Sequence, residues 1–419
     1  MFVDLIVYNI GQLVTLEGGV RAGAEMKDAK SIENGYLCVK DGLFIETGQG
    51  DYPKQLVSDQ TELIDAKGCV VTPGLVDAHT HLVHGGSREN ELKQKLEGVP
   101  YLDILKAGGG ILSTVRSTRK ATKEELYNKA KKSLDIMLSL GVTTVESKSG
   151  YGLDLETEIK QLEVVKALND KHAVDLVSTF MGAHAIPMEY KETPQEYVNL
   201  VFQMMEDARV KELSEFVDIF CEDAVFNVEQ SRTILERAQS LGFGVKIHAD
   251  EIVSLGGAEL AADIKCVSAD HLMAASDQGI KDLAKSKVVA NILPATTFNL
   301  NKDYANARKM IEEGCIVALS SDYNPGSCPT ENLQFIMTLG STKLRMTPDE
   351  IISSVTINAA RAINRDHEVG SIEKGKKADF VLFDAPNLSY IMYHFGINHV
   401  KNVYKNGKIV IENQRIVEA

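Results

Sequence analysis

The sequence lacks any apolar run that approaches the roughly 18 residues a membrane-spanning helix needs, so we expect no transmembrane segment. Its first residues include Asp4 and no basic cluster, which argues against a signal peptide. It also lacks an excess of positive charge, because 45 Lys and Arg oppose 59 Asp and Glu and leave a net charge of −14. We therefore expect neither nucleic acid nor an anionic membrane surface as its main partner, whereas a local arginine can still hold a small anionic substrate.

Cysteine pairs of the Cys-x-x-Cys type are also absent. In a long chain without an export signal, dispersed cysteines are expected to be reduced thiols, which favours a cytosolic protein. The six cysteines are Cys38, Cys69, Cys221, Cys266, Cys315 and Cys328. With 419 residues, of which 44% are hydrophobic and 25% charged, the chain can bury a large core. This length suits a barrel of about 250 residues plus a smaller unit.

Both ends of the chain have the pattern of short β-strands. Phe2–Tyr8 is apolar apart from one charge, and Gly35–Gly42 runs into an Asp-Gly turn signal. Near the other end, Val400–Ile411 contains an Asn-Gly hairpin signal between two strand-like halves. We predict that residues 1–70 and 370–419 form one composite β-sandwich.

Residues 71–369 are predicted to form a separate barrel, because strand-like and helix-like segments alternate there. The helical segments carry capping signals, such as Thr122–Glu125 before a long amphipathic run. Eight repeats of strand–helix alternation are typical of a (β/α)8 barrel of the α/β class. The eight strand-like segments are Val70–Val83, Val142–Lys148, Asp175–His184, Phe216–Glu222, Gly244–Asp250, Lys265–His271, Lys287–Leu293 and Cys315–Asp322.

The first strand-like segment carries a His-x-His motif, His79 and His81. Side chains at i and i+2 of a strand point to the same face, so one strand would supply half of a transition-metal site. Active sites of such barrels lie at the C-terminal ends of the strands, where more ligand or acid–base groups follow. Any one of these groups alone is best explained by packing, but their shared position at one rim indicates a metal site. The six groups are His79, His81, His184, His248, His271 and Asp322.

Longer motifs around these groups resemble the amidohydrolase superfamily, whose members also have an accessory β-sandwich. The motifs are most similar to the members that open the ring amide of 4-imidazolone-5-propanoate to N-formimino-L-glutamate in histidine degradation. They are Asp77-Ala-His-Thr-His-Leu-Val-His-Gly-Gly-Ser-Arg88, Ala107-Gly-Gly-Gly-Ile-Leu-Ser-Thr-Val115, Lys148-Ser-Gly-Tyr-Gly-Leu153, Phe180-Met-Gly-Ala-His184, Lys246-Ile-His-Ala-Asp-Glu251 and Ser321-Asp-Tyr-Asn-Pro-Gly-Ser327.

The resemblance implies one metal ion per chain, zinc or iron, and a homodimer. The expected ligands of the metal ion are His79, His81, His248 and Asp322. Three imidazoles and one carboxylate suit either metal, so the donor set does not choose between them. Two-metal members of the superfamily place a carboxylated lysine at the end of strand 4. Here that strand ends in Phe220–Asp223 without a lysine, so we expect a mononuclear site.

The resemblance also implies roles for the other polar residues. Asp322 would move the proton of the attacking water, His271 would orient that water or stabilise the developing oxyanion, and Glu251 would contact the ring nitrogens. Arg88 would hold the propanoate through two charge-assisted hydrogen bonds. The remaining expected substrate contacts are Tyr101, Tyr151, His184, Asn324, Gly326 and Ser327.

Two other functions fit parts of the pattern. The sequence from His248 to Glu251, followed by His271, is also similar to cytosine and guanine deaminases, which would make the protein a nucleobase deaminase. Arg88 and the Asn324–Ser327 loop favour a substrate that carries a carboxylate instead. Some amidohydrolase relatives have lost their ligands and act as assembly proteins, but all four expected ligands are present here.

Overall fold

The computed structural model describes residues 2–99, 109–207 and 212–417. In this part of the chain the strands form two sheets, an eight-stranded parallel sheet that curls into a barrel and a nine-stranded sheet built from both ends of the chain. The predicted α/β fold, a (β/α)8 barrel with a β unit made from the terminal segments, is confirmed. No helix in the described ranges has both the length and the apolar character needed to cross a membrane.

The terminal sheet brings the two ends of the chain together through one central strand, β5. This strand, Val70–Pro73, pairs in parallel with β1, Leu5–Val14, and antiparallel with β14, Phe380–Phe383, so it joins the N-terminal strands to the C-terminal ones. The Asp-Gly turn between β2 and β3 and the Asn-Gly turn between β15 and β16 lie where the sequence predicts them. The nine strands are β1 Leu5–Val14, β2 Ser31–Lys40, β3 Leu43–Gln49, β4 Glu62–Asp65, β5 Val70–Pro73, β14 Phe380–Phe383, β15 Val400–Lys405, β16 Lys408–Glu412 and β17 Arg415–Ile416.

The barrel strands pair in parallel in chain order from the first to the last. Just after the two edge strands of this sheet, the first and the last in the chain, a parallel bridge between Thr80 and Tyr323 links the two edges. The amide of His81 donates to the Tyr323 carbonyl at 2.8 Å, and the amide of Asp322 donates to the His79 carbonyl at 3.0 Å. The eight strands are β6 Leu75–Asp77, β7 Val142–Lys148, β8 Asp175–Ala183, β9 Phe216–Cys221, β10 Gly244–Ala249, β11 Ser268–His271, β12 Val289–Ile292 and β13 Ile316–Leu319.

Helices cover the outside of the barrel and pack on it through a large apolar core. The capping box predicted at Thr122 is present, because its hydroxyl accepts from the amide of Glu125 at 3.2 Å. Within the described residues the α-helices are Asn90–Leu96, Ile111–Lys120, Lys123–Ser139, Leu155–Asn169, Pro194–Glu206, Val228–Ser240, Gly257–Asp263, Asp277–Ser286, Pro294–Leu300, Ala307–Glu312, Leu333–Thr342, Pro348–Ser354, Ile357–Arg361 and Leu388–Tyr393. Short 3-10 helices span Gly23–Lys27, Lys54–Leu56 and Met188–Tyr190.

The prediction of one strand running through Val70–Val83 is wrong, because this segment changes sheets at Gly74. Residues before it belong to β5 in the terminal sheet, and those after it form the short barrel strand β6. A Cβ atom on Gly74 would lie 2.1 Å from Oγ1 of Thr143, so only glycine lets the chain pass so close to β7. His79 and His81 therefore follow the strand rather than lie on it.

Candidate metal centre and active site

The structure brings the six predicted groups together at the C-terminal end of the barrel. His248 lies on β10 and His271 ends β11, while the other four lie one to four residues beyond β6, β8 and β13. All six are buried, and the imidazole of His184 stacks on that of His81 with centroids 4.7 Å apart. The His79 ring lies 4.5 Å from that of His248, measured between centroids. The prediction that these side chains share one rim is confirmed.

The donor atoms of four of these side chains lie close together, in a position that could hold a metal ion. One nitrogen each from His79, His81 and His248 lie within 4.8 Å of one another. Oδ1 of Asp322 lies 3.5 Å from Nε2 of His79 and 3.7 Å from Nε2 of His81. Tetrahedral ligands bound to zinc at about 2.1 Å are about 3.4 Å apart, so these separations are close to what one ion requires.

Two of the donor atoms also lack other partners. Nε2 of His79 and Nε2 of His248 are buried without a hydrogen-bond partner in the described parts of the chain. A buried polar atom without a partner is costly, unless a bound group satisfies it. A second group of donors, formed by His79, His271 and Asp322, also lies within 4.8 Å. His271 therefore lies next to the same centre.

Burial keeps most of these imidazoles neutral. It lowers the pKa of His79, His81 and His271 well below 6.5, and lowers the pKa of His184 to about 3. For His248, burial acts in the same direction, but the carboxylate of Asp218 outweighs it and the pKa is raised. Neutral imidazoles have a lone pair to donate, which is the form that binds a metal.

Two buried carboxylates contact His79 and His248 on the side of each ring that faces away from the metal position. Oδ2 of Asp270 lies 2.5 Å from Nδ1 of His79, and Oδ1 of Asp218 lies 3.1 Å from Nδ1 of His248. When Nδ1 donates its proton to a carboxylate, Nε2 is the unprotonated nitrogen that faces the metal position. The sequence prediction missed both residues. Each is a charged residue inside an apolar strand segment, and that pattern does not show whether the side chain faces solvent or the barrel axis.

Asp322 is held in a strained conformation between these groups. Its φ is 57°, a left-handed value that is uncommon for a residue other than glycine, and His271 has a φ of 77°. The hydroxyl of Thr296 donates to Oδ2 of Asp322 at 2.5 Å, so Oδ1 is the oxygen that faces the histidines. Burial raises the pKa of Asp322 to about 6, despite the Thr296 hydrogen bond. Such a carboxyl can exchange a proton near neutral pH.

Glu251 faces the same space from the loop after β10. Its Oε2 lies 3.7 Å from Nε2 of His271, and burial together with the nearby Asp322 raises its pKa to about 8. Asp250 fixes the loop, since its two carboxylate oxygens accept from four amides at the start of helix Gly257–Asp263, at 2.8 to 3.1 Å. Glu222 adds a hydrogen bond from the amide of Ile252 at 2.8 Å.

The expected carboxylate anchor, Arg88, is held by a neighbouring acid. Its Nε and NH2 donate to the two carboxylate oxygens of Glu91 at 3.1 and 2.9 Å. NH1 lies against Gly326, where a Cβ atom would be only 1.9 Å away. The structure therefore brings Arg88 and the 324–327 loop together. Glu91 was not predicted from the sequence.

The other expected substrate residues differ in what their side chains do. Tyr151 is buried, with its ring 5.2 Å from that of His184 and 5.5 Å from that of His81. Asn324 uses its amide within the loop, accepting from the amides of Gly326 and Ser327 at 2.8 Å and donating to the Ser327 hydroxyl at 2.9 Å. Tyr101 lies outside the described residues.

Comparison with known proteins defines the class first. Residues 70–410 match the model of the amidohydrolase family. The fold resembles an adenosine deaminase from Xanthomonas campestris with bound zinc, at a TM-score of 0.72 and 17% identity over 100% of this chain and 95% of that one. It also resembles N-isopropylammelide isopropylaminohydrolase from Burkholderia multivorans, at a TM-score of 0.71 and 16% identity over 100% of both chains. The chain belongs to the amidohydrolase family.

Full-length relatives define the particular family within that class. The chain is 59% identical to an imidazolonepropionase from Alkaliphilus oremlandii, over 100% of both chains. It is 57% identical to one from Fusobacterium nucleatum, over 98% of this chain and 100% of the relative. It is 52% identical to one from Streptococcus pyogenes, again over 100% of both. Within the amidohydrolases, the chain is therefore an imidazolonepropionase-family member.

Proposed function

We propose that this protein uses one bound metal ion to hydrolyse the ring amide of 4-imidazolone-5-propanoate, giving N-formimino-L-glutamate. The observation that carries the proposal is the convergence of His79, His81, His248 and Asp322, with Glu251 and His271 beside them. The imidazolonepropionases at 52–59% identity over the full length support the same reaction rather than nucleobase deamination.

The proposed ligands are His79, His81, His248 and Asp322, and the ion is zinc or iron. A divalent ion in this position would lower the pKa of a water molecule and polarise the substrate carbonyl. The buried, unpartnered nitrogens of His79 and His248 support this ligand set. Strand β9 ends with Cys221 and is followed by Glu222 and Asp223, with no lysine to bridge a second ion, which supports a count of one.

Asp322 is the proposed proton carrier. Water adds to the ring carbonyl carbon, and the C–N bond of the ring breaks. Asp322 takes the proton that the water loses and gives it to the ring nitrogen that leaves. Its Oδ1 lies 3.5 Å from Nε2 of His79, so the carboxyl is next to the proposed metal position where the water would be held, which supports this role.

His271 and Glu251 are the proposed contacts to the reacting ring. His271 is buried and neutral, so one ring nitrogen can donate a hydrogen bond to the carbonyl oxygen as negative charge develops there. Glu251 can accept from a ring N–H when ionised, or donate to a bare ring nitrogen when protonated. The 3.7 Å separation of the two side chains supports a shared substrate position.

Arg88 is the proposed anchor for the propanoate. Glu91 holds the Nε–NH2 edge of the guanidinium, which fixes the direction of the rest of the group. Gly326 leaves room for it, and Asn324 and Ser327 shape the loop behind. Tyr151 and His184 are proposed to line the ring, and Tyr101 to reach the propanoate. The propanoate needs a nearby cation, because the chain as a whole carries a net charge of −14 and would otherwise repel it.

On the family resemblance alone, we also propose a cytosolic homodimer. The dimer is checked by sedimentation equilibrium of the purified chain. A single species at the monomer mass would contradict it.

The proposed reaction is tested by incubating the purified protein with 4-imidazolone-5-propanoate. Loss of the imidazolone ultraviolet absorption should accompany formation of N-formimino-L-glutamate, and a chelator should abolish both. Ammonia release from guanine, cytosine or adenine is measured in parallel. Ammonia release without imidazolone loss would overturn the proposal in favour of a deaminase.

A further inference from the structure

A layer of charged side chains fills the barrel directly behind the metal position. Barrel interiors are usually filled by branched apolar side chains, and burial of charge is costly unless every group is paired. Here five charged side chains from four neighbouring and facing strands have no exposed surface. They are Glu146, Lys148, Asp218, Lys246 and Asp270. Because burying these five charges lowers the stability of the fold, we expect the layer to serve the metal site next to it.

Lys148, on β7, is at the centre of this layer. Its Nζ lies 2.7 Å from Oδ2 of Asp218, 2.8 Å from Oε2 of Glu146 and 3.7 Å from Oδ2 of Asp270. Asp218 and Asp270 are the two carboxylates that contact Nδ1 of His248 and His79. One ammonium group therefore contacts both carboxylates that orient the metal-facing histidines.

The arrangement of strands explains why a cation is needed there. Asp218 lies on β9 and Asp270 on β11, on either side of β10, which carries His248. Two buried carboxylates so close to each other repel, and each could turn away from its histidine to lower that repulsion. The ammonium group offsets the repulsion, through a hydrogen bond to Asp218 at 2.7 Å and a longer ion-pair contact to Asp270 at 3.7 Å.

We propose that Lys148 is a positioning residue for the metal centre, acting through Asp218 and Asp270 on His248 and His79. It contacts neither the ion nor the substrate. This inference rests on the proposed metal site, and it adds a residue to which no role has been assigned.

Lys246 offers a matched control within the same layer. It is equally buried, but its contacts are with Oε2 of Glu146 at 2.8 Å and the carbonyl of Ala78 at 3.0 Å. Both lysines place one positive charge behind the metal position, and the charge of each opposes the rise that burial causes in the pKa of Asp270. Within the described residues, Lys148 is the lysine that lies within 4 Å of Asp218 and Asp270. The comparison therefore separates a charge effect from a positioning effect.

The two effects have opposite signs for metal binding. Removing a positive charge near a cation should strengthen binding if only long-range electrostatics matters. Releasing the carboxylates that orient two ligands should weaken it, and loss of such supporting contacts lowers metal affinity by about 10- to 100-fold.

The test measures zinc affinity of the parent chain, Lys148→Met and Lys246→Met by competition with a chelating dye. Circular dichroism and thermal unfolding of the metal-free proteins show that each variant is folded. We expect about 10- to 100-fold weaker zinc binding for Lys148→Met. For Lys246→Met, which removes a charge but leaves the contacts to Asp218 and Asp270, we expect zinc binding that is unchanged or tighter. If Lys148→Met does not fold, Lys148→Gln, which keeps a donor without the charge, is measured in its place.

Several results would overturn the inference. Zinc binding by a folded Lys148 variant that is as tight as in the parent, or tighter, would exclude positioning. Equal losses of zinc affinity in Lys148→Met and Lys246→Met would mean that the whole charged layer, rather than Lys148 in particular, supports metal binding. Failure of both Lys148 variants to fold, with Lys246→Met folded, would assign Lys148 to folding alone. Failure of the parent chain to bind zinc or iron would instead refute the proposed metal site.

Discussion

Replacing Gly326 with alanine tests whether Arg88 anchors the substrate carboxylate. The added Cβ would lie 1.9 Å from NH1 and 2.6 Å from Cζ of Arg88. Ordinary contact needs about 3.5 Å, so the guanidinium must move by about 1.5 Å. Gly326 does not have a positive φ, so the alanine backbone is unstrained and the main effect falls on Arg88. We expect folding stability to change little.

The size of the effect follows from the contact that is displaced. A hydrogen bond to a charged group contributes about 1.5–3 kcal/mol, so losing one from Arg88 should raise KM by about 10- to 150-fold. The turnover number, kcat, should change much less, because the anchor is remote from the breaking bond. Both constants are measured from loss of the imidazolone absorption.

A double-mutant cycle with Arg88→Ala provides the control. If Gly326→Ala acts only by displacing the guanidinium, the double variant should bind substrate no more weakly than Arg88→Ala alone. Additive effects of the two substitutions, or an unchanged KM for Gly326→Ala in a folded protein, would refute the assignment of Arg88 as the anchor.

Three further predictions address the proton transfer, the ion pair between the partly exposed Arg308 and the buried Glu350, and the glycine at which the chain changes sheets. Asp322→Asn, saturated with zinc, should lose about 10²- to 10⁴-fold in kcat; a nearly normal kcat would remove its role as proton carrier. Arg308→Met should lower the free energy of unfolding by about 2–4 kcal/mol at pH 7, because Arg308 donates to the buried Glu350 at 2.7 and 2.9 Å. Burial alone would raise the pKa of Glu350, but the bonds from Arg308 and Thr347 lower it below 4.5. The stabilisation is therefore complete above pH 4.5 and should disappear as the pH falls through the lowered value, which urea titrations at several pH values check; a difference independent of pH would contradict this. Gly74→Ala should destabilise the fold by about 1–3 kcal/mol, since its Cβ would lie 2.1 Å from Oγ1 of Thr143, and Thr143→Ala should restore part of the loss. No restoration in the double variant would mean that the crowding at Thr143 is not the cause.

The strands of the barrel could be predicted because each is a short apolar run with β-branched residues that ends in a polar group. Val142–Lys148 and Gly244–Ala249 have the bounds, or nearly the bounds, that the pattern indicates. The pattern does not say which sheet a strand joins, since that depends on pairing between distant segments. Val70–Pro73 is an example, because its apolar side chains suit either sheet. It belongs to the terminal sheet since it pairs with Phe380–Phe383, which lies about 300 residues further along the chain.

The histidines and Asp322 could be predicted as a cluster because barrel topology brings the ends of all strands to one rim. Their supporting residues could not. A lysine or aspartate within an apolar strand has the same appearance whether it faces solvent or the barrel axis. Only the fold shows that Lys148 reaches Asp218 across the interior. The pairing of Arg88 with Glu91 likewise depends on the local turn into helix Asn90–Leu96.

The most direct test of the account is a zinc titration of metal-free protein, with imidazolone loss as the readout. We predict no turnover without metal, a linear rise as zinc is added, and saturation at one equivalent per chain. His79→Ala and His248→Ala should remain inactive at the same zinc concentration. Turnover in the metal-free protein, or saturation only at two equivalents, would contradict the central claim of a single-metal hydrolase.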